Sequence, residues 1–139
     1  MYVLDTCVVS ELRKTTSGRV DSHVARWAST HPFTHSWLSA ITVKELEYGV
    51  LVVERRDPSA AVALREWCDG VCAQFAERIL PVDDRVARRA ATLHVPDPAS
   101  EADAYIAATA LVRGLTIVTR NTADFARFEG VTLVNPWLE

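Results

Sequence analysis

EADAYIAATALVRGLTIVT, residues 101 to 119, reads as a helix, its cap and a strand in one pass. The alanine-rich run from Glu101 to Arg113 has neither glycine nor proline and consists mostly of good helix formers. Gly114 follows as the left-handed C-cap that ends such helices. Leu115 to Thr119 is apolar and β-branched, too short for a helix and well suited to a buried strand. Two parallel strands can be joined only by a crossover of this kind, so the stretch predicts α/β architecture.

Working outward, the same alternation recurs. Tyr2 to Leu4 is a strand ending at Asp5, with helical character from Thr6 to Arg13. A Thr-Thr-Ser-Gly turn then leads into an amphipathic stretch, Arg19 to Thr30, with Val20, Val24 and Trp27 on one face. Thr34 to Ser39 reads as the second strand, Thr42 to Arg56 as a helix, and Pro58 as the start of a helix reaching Arg78. Ile79 to Val82 is the third strand. Asp83 caps a helix that ends before Val95-Pro96-Asp97-Pro98. Beyond Thr119 come a short helix around Ala123 to Phe128 and a last strand, Val131 to Val134. Strands alternating with helices predict a single domain over residues 1–139, with a mostly parallel five-stranded sheet flanked by helices on both faces.

Composition narrows the function classes. The chain has 139 residues, 49% of them apolar, which suffices for one core. No apolar run approaches the roughly 18 residues of a membrane span, and the start of the chain lacks the features of a secretory signal, so a cytoplasmic protein is expected. Three cysteines, Cys7, Cys68 and Cys72, make an odd and scattered set that predicts free thiols. Cys68 and Cys72 lie one helical turn apart with no second pair to complete a tetrahedral metal site. His23, His31, His35 and His94 show no ligand spacing. The net charge of −3 argues against a broadly basic nucleic-acid surface. Local basic groups at Arg13-Lys14, Arg55-Arg56, Arg85 with Arg88-Arg89, and Arg113 with Arg120 leave room for a basic rim around an acidic pocket.

The acids carry the chemistry. In open parallel sheets ligands bind at the carboxyl ends of the strands. Asp5 ends the first strand, Glu45 falls in the first turn of the helix after the second, and Asp124 begins the helix after Thr119. Asp103 lies in the first turn of the helix that enters the fourth strand. Capping offers a structural alternative for three of them: Thr42-Val-Lys-Glu45 is written as a capping box, and Ser100 to Asp103 and Asn121 to Asp124 are close variants. Asp5 resists that explanation, because a charge at the end of a buried strand is costly without a partner. Two carboxylates about 4 Å apart repel by roughly 4 kcal/mol at an effective dielectric near 20, so convergence of all four would call for a cation. An all-oxygen donor set suits Mg²⁺, or Mn²⁺, and such an ion suits phosphodiester hydrolysis. Thr6, Thr119 and Asn121 are placed to hold these carboxylates by hydrogen bonds, and Arg120 to contact a phosphate.

Four segments in this order resemble the PIN-domain ribonucleases and, among them, the VapC-type toxins of bacterial toxin-antitoxin modules. They are Val3-Leu4-Asp5-Thr6 with Ser10-Glu11-Leu12; Ile41 to Leu46 with Gly49; Asp103 with Ile106 to Ala110; and Thr119-Arg120-Asn121 with Asp124-Phe125. The tail Val134-Asn135-Pro136-Trp137 is similar too. The resemblance implies that Asp5, Glu45, Asp103 and Asp124 bind Mg²⁺ or Mn²⁺ and activate water in an endoribonuclease. It also implies an RNA substrate, a homodimer and a cognate antitoxin that reaches the active-site groove. Cys7 departs from the pattern, which usually has Asn there, and Glu11 is a further acid near the site. Two other readings share the architecture. An aspartyl-phosphate enzyme would want a second acid at position 7 and a lysine near the far strands, where this chain has Cys7 and only Lys14 and Lys44. In a receiver-like scaffold the acids would be helix caps or a regulatory ion site.

Overall fold

In the computed structural model, which describes residues 1 to 139, five short strands form one sheet. They are β1 (Tyr2–Leu4), β2 (Ser36–Ser39), β3 (Ile79–Leu80), β4 (Thr116–Val118) and β5 (Thr132–Val134). All pairings are parallel, in the order β3-β2-β1-β4-β5. Seven α-helices connect them: α1 (Thr6–Leu12), α2 (Ser22–Thr30), α3 (Ala40–Arg56), α4 (Ala61–Gln74), α5 (Asp84–Leu93), α6 (Glu101–Arg113) and α7 (Thr122–Ala126).

Strand alternation decides which helix covers which face. Leu4, Leu38 and Val118 point to one side, where they meet Val8 and Val9 of α1, Trp27 of α2, Leu46 and Val50 of α3, and Cys68 and Val71 of α4. Val3 and Ile117 point to the other, against Ala104, Ala107 and Ala110 of α6 and Phe125 of α7. The small residues of α6 let it lie close on the sheet, and α5 packs outside it through Val86 and Ala90 against Ala108.

The boundaries differ from the sequence pattern where local polar chemistry wins. Gly114 is the left-handed cap predicted for α6, with φ 67°, and Asp83 caps α5 by accepting from the Val86 amide at 2.9 Å. The helix expected from Pro58 to Arg78 is shorter, since residues 58 to 60 form a turn and Ala76–Arg78 tightens into a 3₁₀ turn. The helix expected from Arg19 starts at Ser22, because the Asp21 carboxylate caps it by accepting from the amides of His23 and Val24. The expected second strand loses its first two residues to a 3₁₀ turn at Phe33–His35. Helix α3 starts earlier than expected: Ser39 is its N-cap, accepting from the Ile41 amide at 3.0 Å. The Thr42 to Glu45 capping box therefore does not form. Thr42 is fully buried inside the helix, and Glu45 is one turn further along than predicted.

Candidate active site

The chain starts in the middle of the sheet at β1, moves outward through β2 and β3, then returns to the other side of β1 with β4 and β5. Neighbouring loops at the ends of β1 and β4 thus leave in opposite directions, which opens a crevice at the carboxyl edge. Register puts Leu4 beside Val118, so the next residues, Asp5 and Thr119, meet across that crevice.

Asp5 is anchored on both oxygens. Its backbone amide continues the sheet by donating to the Val118 carbonyl at 2.9 Å. Its Oδ1 accepts from the Thr6 amide at 2.8 Å, which makes it the N-cap of α1. Its Oδ2 accepts from Thr119 Oγ1 at 2.8 Å. The charge that looked costly at a strand end is thus satisfied by a helix start and a buried hydroxyl. Thr119 in turn accepts from the Asn121 amide at 3.0 Å. The Asn121 contribution comes through its backbone, and its side chain forms no cap bond.

Glu45 reaches the same place from α3. Its Oε1 accepts from Thr6 Oγ1 at 2.7 Å, and that hydroxyl stands 3.4 Å from Thr42 Oγ1. Asp103 sits in the first turn of α6, where Ser100 Oγ accepts from its amide at 3.4 Å. A helix feeding a parallel strand runs against it, so the start of α6 lies at the carboxyl edge with the other acids. Asp124 lies in the first turn of α7, its amide donating to the Asn121 carbonyl at 3.1 Å.

Electrostatics ties the four together. Burial pushes the Asp103 carboxyl up to about 6, and the negative charges of Asp5, Asp124 and Glu45 push it the same way. None of the four forms an ion pair with Arg, Lys or His. No three His, Cys, Asp or Glu side chains are drawn together as a closed metal cage. Carboxylates without a cation or a basic partner repel one another.

Three neighbours resolve points the sequence left open. Cys7 packs on Asp5, with its Sγ donating to Oδ2 at 3.6 Å and accepting from the Arg120 amide at 3.5 Å. Burial and the adjacent Asp5 charge raise its thiol pKa, so Cys7 faces Asp5 as a neutral donor. Glu11 belongs elsewhere. It pairs with Lys14 at 2.7 Å and accepts from the Asp21 amide, and these bonds lower its pKa. Arg120 is exposed, and its guanidinium stands over the Trp137 ring at 5.3 Å.

The expected basic rim is not a ring. Arg113 pairs with Asp83 at 3.7 Å, Arg85, Arg88 and Arg89 lie on α5 beyond α6, and Arg55 and Arg56 end α3. Sequence reasoning also missed the tie that fixes the start of α6. His94 accepts from the Ala99 amide at 2.9 Å and meets Glu101 at 3.0 Å, while Arg127 donates to the carbonyls of Asp97 and Pro98. No local signal in the sequence marks the Arg127 bonds, which span about thirty residues.

A parallel sheet that gathers acids at its central switch point defines a class, and the chain belongs to the PIN domain family, whose model matches residues 2–131. Across its length it is similar to VapC ribonuclease Y4jK of Sinorhizobium fredii, 36% identical with 99% of this chain and 98% of the relative covered. It is likewise similar to toxin FitB of Neisseria gonorrhoeae, 38% identical with 99% of each chain covered. The solved structure of FitAcB from that organism matches with a TM-score of 0.86 at 34% identity, covering 99% of both chains.

Proposed function

We propose that this chain is a divalent-metal-dependent endoribonuclease, the toxin of a toxin-antitoxin pair, which hydrolyses RNA phosphodiester bonds at Asp5, Glu45, Asp103 and Asp124. The observation that carries the reading is the coupling of these four acids. They come from four separate segments, the charges of Asp5, Asp124 and Glu45 all act on Asp103, and none of the four has an Arg, Lys or His partner to neutralise it. An all-oxygen donor set of this charge fits Mg²⁺ or Mn²⁺. Bound there, such an ion would neutralise the cluster, acidify a water and offset charge developing on the phosphate.

The remaining chemistry falls to the chain. Thr119 and the Thr6 amide hold Asp5 through both oxygens, which fixes its rotamer before substrate arrives. The Thr6 hydroxyl does the same for Glu45. Arg120, braced on Trp137 and free of any carboxylate, supplies a phosphate contact beside the crevice. Lys14 is engaged with Glu11 and Lys44 lies over Tyr48, so no lysine serves Asp5 as an aspartyl-phosphate enzyme would require.

The partners follow from the same reading. Tyr48, Leu51 and Val52 of α3 and Val62 of α4 are exposed apolar residues, which supports a homodimer. A nuclease toxin needs restraint, which a cognate antitoxin would supply. No helix is long and apolar enough to cross a membrane, in keeping with action on cytoplasmic RNA. The test is cleavage of an end-labelled folded RNA by the purified chain in Mg²⁺, in Mn²⁺ and in EDTA. Cleavage in either metal, its loss in EDTA, and its loss in Asp5→Asn and Asp103→Asn are expected. Wild-type cleavage by either variant would overturn the assignment.

A further inference from the structure

One charged region takes no part in the carboxylate site. Between the end of α1 and helix α4 lies an open cleft of about 1110 Å³. Arg13, Lys14 and Arg19 line it on one side, Trp67 and Glu66 on the other. Lys14 is neutralised by Glu11, but Arg13 and Arg19 are exposed and have no carboxylate partner. Arg55-Arg56 and Arg85, Arg88 and Arg89 are likewise unpaired, but Arg13 and Arg19 are the ones that line this cleft.

The loop is preformed. Thr15 Oγ1 donates to the Leu12 carbonyl at 2.7 Å and Ser17 Oγ to the Lys14 carbonyl at 3.0 Å, while Gly18 turns the chain with φ 71°. Glu11 closes it by accepting from the Asp21 amide. The Arg13 guanidinium stands over the Trp67 ring at 5.6 Å, so the half-buried indole braces a cation and does not offer that face to a base.

Helical geometry joins this cleft to the acids. Thr6, Ser10 and Arg13 are spaced i, i+4 and i+7, which puts them along one stripe of α1 and its continuation. Thr6 is bonded to Glu45, Ser10 is exposed and lines the cleft, and Arg13 lies about 10 Å from Thr6 at 1.5 Å per residue. A polyanion passing the carboxylates would run along hydroxyls towards two free guanidiniums.

We propose that this cleft binds the sugar-phosphate backbone of single-stranded RNA next to the bond being cut, with Arg13 and Arg19 as phosphate contacts and Trp67 as the brace of Arg13. The inference rests on the ribonuclease reading and adds a substrate track to it. Each phosphate contact to a single strand contributes about 0.7 to the slope of log affinity against log salt.

The experiment uses the full chain in EDTA and a fluorescein-labelled 20-nucleotide oligouridylate, titrated by anisotropy from 50 to 200 mM KCl. Arg13→Ala/Arg19→Ala should bind about tenfold more weakly near 100 mM salt, with a slope shallower by about 1.4. In Mg²⁺ its KM for the same RNA should rise with kcat within about twofold. Arg85→Ala/Arg88→Ala, which removes equal charge from α5 across the sheet, should keep the wild-type slope, and circular dichroism checks that both variants fold. An unchanged slope in the first variant, or an equal loss in the second, overturns the cleft while RNA cleavage by the wild type keeps the nuclease reading intact. Wild-type protein that neither binds nor cuts RNA overturns both. Loss of binding to a deca-glutamate peptide, with RNA binding untouched, would reassign the cleft to an acidic protein segment.

Discussion

Replacing Asp103 with Asn should stabilise the metal-free protein at neutral pH. Burial, then the charges of Asp5, Asp124 and Glu45, raise this carboxyl from 3.8 to about 6. Between those values the native state binds more protons than the unfolded chain, so stability falls as pH rises. The contribution is fully present below about 3.8 and lost as pH climbs through about 6. At 1.36 kcal/mol per pKa unit the loss amounts to about 3 kcal/mol, and solvent screening of a partly exposed group reduces it to about 1 to 2 kcal/mol. Asp103→Asn has no charge to confine. In EDTA at pH 8 it should melt about 3 to 7 °C above wild type, and at pH 4.5 the advantage should shrink to about a third. Millimolar Mg²⁺ should then stabilise wild type and leave the variant nearly unchanged, narrowing or reversing the gap. Differential scanning calorimetry at the two pH values, with and without metal, measures all of this. A variant no more stable than wild type in chelator at pH 8 would refute the claim that burial and the neighbouring acids penalise the Asp103 charge.

Other outcomes follow from single contacts. Thr119→Val removes the buried hydroxyl bonded to Asp5 and the acceptor of the Asn121 amide, so denaturant titration should show a loss of about 2 kcal/mol, with RNA cleavage down at least tenfold. Retained activity would show that Asp5 needs no such orientation. The Cys7 thiol, raised by burial, should be alkylated by iodoacetamide at pH 8 about tenfold more slowly in the native protein than in urea. Equal rates, followed by peptide mass spectrometry, would contradict its burial. Phe125→Ala empties a fully buried site behind Asp124 and should cost about 3 to 5 kcal/mol. Unfolding near the wild-type midpoint would mean that α7 is not held by that ring.

Much of this protein is legible in the order of its residues. The apolar runs, the helix periods and the glycine after Arg113 determine five strands, their connecting helices and hence a parallel sheet, because each signal is local. The four acids were also visible, with the PIN pattern linking segments that chemistry alone could not join. Tertiary structure decided what local reading could not. Helix starts moved to Ala40 and Ser22, behind the caps Ser39 and Asp21, because a side-chain cap forms only where the chain actually turns. Glu11 joined Lys14 and Asp21, and Arg113 joined Asp83, since pairing depends on which surfaces meet. Thr119 and the Arg120 amide reached Asp5 and Cys7 through the register of β1 and β4, and Arg13 was braced by Trp67 from a helix more than fifty residues away. Sequence assigns a carboxylate its charge, but only the packed sheet sets its distance from the next one, and repulsion between them depends on that distance.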